Sequence, residues 1–487
     1  MRVAVFGLGS IGAALGAALL QRGHAVVAWD ADEKRLEGFA RRHLGRVQAA
    51  PDLPALVGAT ASPRLVLVDE PPGDGVDDVV AALRPLLARG DVIAHVGIEA
   101  PGRTAARTEA LEATGVGYLG VGVGGDERTL ARGPALLVGG TQRAAQALDG
   151  ILGSIAGRAA DGTAATEWLG PDGAGHLAQA VCDALVVIDL ELLVEACDLL
   201  RLVGDVPPDD VAGLVGDWAE LPRSELGGPL VAALERVLAA PDAGTPGRAM
   251  VDRVLDVVDG APRRGPAAGA RIAATEAAAR GVSSALLAAA LEARALGAAK
   301  AERTGAARVL AGPLPGQRHS ESRTALVETV RDAYAAARWV AGAFAVELLE
   351  RSVTSAGGPL RASPATVLRL FRTGTLVGAT YATRLADAAE RIAAGHVTRQ
   401  LLLDTEVSQL LRDRQVGWRN AVALGVQHGV ALPALAAALA TYDGLRRERH
   451  PAYLTAAVEN AVGLGDFRRT DREGTHHHEW PAPDGNR

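Results

Sequence analysis

Along the first 165 residues, short apolar runs rich in β-branched side chains alternate with longer segments whose apolar positions recur every three or four residues. Residues 3–6, 25–29, 65–68 and 92–95 have strand length and composition, and an alternation of this kind predicts a parallel sheet with crossover helices, an α/β Rossmann-type domain over 1–165. After about residue 165 the strand signal stops and apolar residues at i, i+3 and i+4 take over, so 166–455 reads as one large all-α domain. Residues 177–200 are apolar enough to raise the question of a membrane span. Asp183, Asp189, Glu191, Glu195 and Asp198 interrupt them within the roughly 20 residues a span requires, and a buried core helix is predicted instead. Loops rich in Pro and Gly near 241–246, 260–269 and 355–364 subdivide the helical part. From 456 to 487 the chain reads as an extended tail that must dock on something or stay loose.

With 48% hydrophobic and 22% charged residues, the 487-residue chain is globular rather than disordered. Its formal net charge of -7 lacks the basic footprint of a nucleic-acid or anionic-membrane binder, which leaves a small molecule as the expected ligand. Cys182 and Cys197 are too few for a disulfide framework, and the opening MRVAVFGLGS runs straight into a strand pattern rather than a secretory leader. Both features point to a reducing cytoplasm. Lys34 and Lys300 are the only lysines, so any chemistry that needs a lysine has two candidates.

Gly7, Gly9 and Gly12, with Ser10 and Ile11 between them, form GxGxxG between the first strand and the first helix, where backbone can approach a pyrophosphate at a helix N-terminus. Asp30 ends the second strand, where a carboxylate accepts hydrogen bonds from an adenosine ribose and repels a 2'-phosphate, so NAD is expected over NADP. The same glycines would also close a tight turn in any fold, and Asp30 with Asp32 would serve to cap the next helix.

Further motifs follow in order: Gly120-Val121-Gly122-Val123, Gly133-Pro134, Gly139-Gly140, and Trp168-Leu169-Gly170-Pro171-Asp172-Gly173-Ala174-Gly175-His176. After them come Val309-Leu310-Ala311-Gly312-Pro313, Thr441-Tyr442-Asp443 and Asp471-Arg472-Glu473-Gly474-Thr475, then His477 and Glu479-Trp480. In this order and spacing the chain resembles the decarboxylating 6-phosphogluconate dehydrogenases over nearly its whole length. The resemblance implies a dinucleotide domain, a helical domain that forms a homodimer, and a C-terminal tail reaching into the partner subunit. It also implies oxidation of 6-phosphogluconate at C3 by NADP, loss of carbon dioxide, and protonation of the enediol to ribulose 5-phosphate.

In that family a lysine takes the hydroxyl proton and a glutamate returns one to carbon, seven residues apart and so about 20° apart around one helix. The resemblance puts these roles at Gln179 and Val186, where a carboxamide has no pKa near neutrality and an isopropyl group has no polar atom. The family's His-Asn pair becomes Cys182-Asp183, and a substrate-contacting tyrosine becomes Val187. Around the sugar and nicotinamide the chain reads Val96-Gly97-Ile98-Glu99 and Val123-Gly124-Gly125-Asp126, the latter keeping Gly124 and Gly125 as substrate-side positions. The phosphate loop matches Ala267-Ala268-Gly269-Ala270-Arg271, without lysine, and Arg294 falls on a phosphate-binding arginine. Where the partner's tail brings an arginine and a histidine, Glu459 and Gly465 stand, and Glu459 would repel a phosphate. Ala31 follows Asp30 where the family's 2'-phosphate arginine would be.

Three readings follow. A catalytically silent member keeps the dimeric scaffold and the dinucleotide site as a binding or regulatory protein, alone or in a mixed dimer with an active sister subunit. A redirected NAD oxidoreductase uses His176, Asp183 or Glu99 for a different proton transfer on another hydroxy acid. The third reading is residual 6-phosphogluconate dehydrogenase activity. No metal site is expected: His476, His477 and His478 are adjacent, and adjacent imidazoles rarely converge on one ion, so a tail contact is the simpler role. Cys182 is expected to be a packed core thiol.

Overall fold

The computed structural model describes residues 2–125, 127–159, 162–221, 224–313, 322–395 and 399–480; Asp126 lies outside them. All four expected strand runs are strands: β1 (Arg2–Phe6), β2 (Ala25–Trp29), β4 (Leu65–Val68) and β5 (Val92–Gly97). With β3 (Val47–Ala49), β6 (Gly117–Val123), β7 (Leu136–Gly140) and β8 (Thr166–Gly170) they form one eight-stranded sheet in the order β3-β2-β1-β4-β5-β6-β7-β8. The pairs from β3 to β6 are parallel, β6 and β7 are antiparallel, and β8 is parallel to β7. Side chains alternate across this sheet: Val3 and Val5 pack on one face with the helix α1 (Ser10–Gln21), and Ala4 and Phe6 pack on the other.

β8 differs from the sequence expectation, because the sheet continues to Gly170, past residue 165. Its sequence TEWLG holds one β-branched residue and a glutamate, and its pairing with β7, rather than its own propensity, makes it a strand.

Past β8 the helix Ala174–Leu202 is buried along most of its 29 residues. Among the described residues no helix is long and apolar enough to cross a membrane. The glycines of the quoted motifs explain how this helix reaches the sheet. A Cβ at Gly122 would lie 2.6 Å from the Cβ of Gln179, one at Gly139 2.3 Å from the Gly175 nitrogen, and one at Gly175 2.2 Å from the Leu137 carbonyl oxygen. Strands β6 and β7 and the start of the helix therefore touch through backbone, which fixes how far Gln179 and Asp183 stand from the sheet.

Residues 1–438 form one compact unit and 439–487 a second. Within the second, β9 (Phe467–Arg468) and β10 (Thr475–His476) pair as an antiparallel hairpin. The tail folds onto Asn460, whose side chain is bonded to the Gly465 carbonyl, the His477 ring, the His478 amide and the Trp480 indole.

Candidate functional site

A cleft with a cavity volume of about 130 Å³ opens at the carboxyl ends of the parallel strands, between the glycine loop after β1 and the Ala174–Leu202 helix. Parallel α/β sheets bind ligands at this end. Ser10, Ile11, Gly124, Gly125, Gln179 and Asp183 all face it, so six of the positions singled out in the sequence are brought together.

The glycine loop is built by close contacts. Gly7 has φ +83°, a Cβ at Gly12 would lie 2.1 Å from the Gly7 carbonyl oxygen, and the Gly7 amide donates to the Trp29 carbonyl at 2.9 Å. Asp30 is buried behind this loop, accepting from the Leu8 amide at 2.6 Å and from the Asp32 amide at 2.7 Å. Asp32 is the residue that caps the next helix.

On the opposite wall, Gln179 Nε2 donates to Asp183 Oδ1 at 2.8 Å, and the Gln179 Oε1 is buried with no partner among the described residues. Burial raises the Asp183 carboxyl to about 7, against the opposing hydrogen bond from Gln179. Asp183 fits there because a Cβ at Gly269 would fall 2.1 Å from its Oδ2. An acid titrating near neutrality on a cleft wall is suited to proton transfer.

Other predicted residues stand elsewhere. His176 is fully buried and outside the cleft, its Nδ1 within 2.8 Å of the Thr104 hydroxyl and its ring edge-on to His95; burial holds it neutral by lowering its pKa well below the usual value. Glu99 is buried in an ion pair with Arg107 at 2.7 Å and accepts from the Gly73 and Ala100 amides, which removes it from proton-transfer duty. Val186 is buried and outside the cleft wall. Arg294 is also outside it, its Nε donating to the Asp259 carbonyl at 2.7 Å. The stretch 267–271 is part of the Pro266–Ala279 helix rather than a loop, and Arg271 is tied back to the Pro262 carbonyl. Lys300 pairs with Asp256 at 2.5 Å, away from the cleft. Cys182 is a buried free thiol whose pKa burial pushes well up.

Three charged cleft residues were not singled out in the sequence: Asp69, Glu70 and Arg264. Asp69 follows β4, accepts from the Gly12 amide at 2.9 Å and pairs with Arg264 at 2.6 Å. Burial raises the carboxyl of Glu70. The position of Asp69 and Glu70 at the carboxyl end of a central strand is a usable signal; Arg264, within an irregular Pro and Gly segment, offers none.

The chain is similar to known proteins along its whole length. The family model for the NAD binding domain of 6-phosphogluconate dehydrogenase matches residues 2–170, and that for the 6-phosphogluconate dehydrogenase C-terminal domain matches 175–480. The decarboxylating 6-phosphogluconate dehydrogenase of Synechococcus elongatus is 31% identical over 478 residues, covering 98% of each chain. Its human counterpart is 29% identical over 474 residues, covering 97% of this chain and 95% of the human one. Among solved structures, Plasmodium falciparum 6-phosphogluconate dehydrogenase, described apo, with NADP+ and with 6-phosphogluconate, superposes with a TM-score of 0.87 at 22% identity, covering 99% of this chain and 100% of that one.

Proposed function

The chain belongs to the 6-phosphogluconate dehydrogenase family, and from that premise we propose that it binds a nicotinamide dinucleotide but is impaired or silent in the decarboxylating oxidation of 6-phosphogluconate. The observation that carries this reading is the Ala174–Leu202 helix, on which Gln179 lines the cleft and Val186 is buried outside it. Gln179 stands where the resemblance puts the lysine base and Val186 where it puts the acid, one with no useful pKa and the other buried without a polar atom. Losing one acid or base costs about 10² to 10⁴ in rate, and coupled losses do not simply multiply.

The glycine loop supports dinucleotide binding, since it leads backbone without side chains into the N-terminus of α1. Asp30, buried at the end of β2, favours NAD over NADP. A homodimer whose tail, 456–487, reaches the partner subunit, or a mixed dimer with an active sister subunit, and a cytoplasmic location complete the proposal on the strength of the resemblance.

A second reading, a redirected NAD-dependent oxidoreductase acting on a different hydroxy acid, is favoured by Asp183. When bound, the dinucleotide supplies a two-electron acceptor for a carbon-bound hydrogen. Asp183, ionised above about pH 7, takes the hydroxyl proton, and the unpartnered Gln179 Oε1 accepts a hydrogen bond from a second substrate hydroxyl.

The test is turnover of 6-phosphogluconate with NAD and with NADP, followed by nicotinamide absorbance and carbon dioxide release. Little or no turnover is expected; rates like those of working members of the family would sink the first reading. Titration of protein fluorescence with the dinucleotides checks binding, and the absence of saturable binding to any of them would remove both readings.

A further inference from the structure

The Asp69–Arg264 pair lies on the glycine loop. Asp69 Oδ2 takes the Gly12 amide at 2.9 Å and is 2.5 Å from where a Cβ at Gly9 would be, and Arg264 Nη1 is 3.3 Å from that same point. Arg264 comes from the segment preceding the Pro266–Ala279 helix, so the pair at 2.6 Å ties the helical part of the chain to the nucleotide loop. A carboxylate on a loop amide, neutralised by a guanidinium, is the arrangement a phosphate adopts at such a loop. Asp69 is almost fully buried, whereas the Arg264 side chain is 44% exposed and free to re-aim.

We propose that Asp69 is an internal stand-in for the dinucleotide's pyrophosphate and that Arg264 is its exchangeable partner. On binding, the pyrophosphate takes over Arg264 and the space above Gly9, and Asp69 gives up its guanidinium. Arg264 is then a coenzyme phosphate ligand supplied by the helical part of the chain. Asp69 is a specificity-determining residue that weakens the site for every anion and most for the most highly charged, since an unpaired carboxylate beside a phosphate repels it. This inference rests on the dinucleotide reading above.

The experiment is equilibrium binding, by fluorescence or calorimetry, of NAD, NADP, ADP-ribose and adenosine to the full chain and to its Arg264→Ala, Arg264→Lys and Asp69→Asn variants, each checked for native circular dichroism. Arg264→Ala is expected to weaken NAD and ADP-ribose about 10-fold or more while leaving adenosine unchanged, with Arg264→Lys between. Asp69→Asn is expected to tighten ADP-ribose about 10-fold and NADP by more than NAD. Wild-type binding of ADP-ribose that Arg264→Ala leaves unchanged overturns the inference alone. Saturable binding of none of these ligands to either wild type or Asp69→Asn overturns the dinucleotide reading and the inference with it.

Discussion

Gln179 donates its side-chain amide to Asp183 one helical turn later, at 2.8 Å, and the two close one wall of the cleft. The bond occupies one oxygen of a carboxyl that burial has already lifted to about 7. Between pH 4 and 7 Asp183 keeps its proton in the folded protein and loses it in the unfolded chain, so the native state binds more protons. Its contribution to stability is therefore full below about pH 4 and is lost as pH rises through 7. Asp183→Asn removes this dependence, and at pH 8 it is expected to be more stable than wild type by roughly 2 kcal/mol or more. Urea midpoints at pH 5 and pH 8 measure the effect, and a wild-type slope that survives in the variant would contradict the assignment.

Restoring only the proton groups is not expected to restore the reaction. Gln179→Lys with Val186→Glu puts both back in sequence, but Arg294 stands away from the cleft with its Nε on the Asp259 carbonyl, so the phosphate still lacks its arginine. Turnover of 6-phosphogluconate by the double variant should stay near the wild-type level. Substantial rescue would show that the substrate shell is more complete than these contacts indicate.

The strands announced themselves because β1, β2, β4 and β5 are buried runs of Val, Ile, Leu and Ala with helical segments between them. β8 did not, since TEWLG carries a strand only by lying against β7. The motif glycines marked the places where helix meets sheet, and with them the position of Gln179 and Asp183. His176 and Glu99 were chemically eligible in the sequence, but burial and partners decide their use, and the partners Thr104 and Arg107 have no sequence pattern that ties them to the site. Arg264 and Asp69 are 195 residues apart, a pairing that no local periodicity encodes.

The contact between helix and sheet also predicts an asymmetry between glycines. Gly122→Ala drives a methyl to 2.6 Å from the Gln179 Cβ and 2.7 Å from the Gly175 carbonyl oxygen, so backbone must shift at a cost of about 1–3 kcal/mol. Gly150→Ala meets nothing within 4 Å on an exposed helical surface and should stabilise by about 0.5–1 kcal/mol. Denaturant midpoints of the two single variants suffice, and equal effects would refute the close packing.

The helical core contains a buried ion pair. Arg338 Nε lies 2.6 Å from Asp189 Oδ1, its guanidinium sits over the Tyr381 ring at 4.0 Å, and Tyr334 donates to the same carboxylate at 3.1 Å. Burial raises the Asp189 carboxyl and Arg338 opposes that rise. Arg338→Met leaves the carboxylate buried without its cation, an expected loss of about 3–5 kcal/mol at neutral pH. With the cation gone, the folded-state pKa of Asp189 climbs further above its unfolded value, so the variant should regain stability as pH falls and the carboxyl takes up a proton. Adding Asp189→Leu to Arg338→Met removes the stranded charge and should recover most of the loss. Urea unfolding of the single and double variants at pH 5 and pH 7.5 decides the matter: a single variant as stable as wild type, or as unstable at pH 5 as at pH 7.5, would mean that this pair does not hold the core.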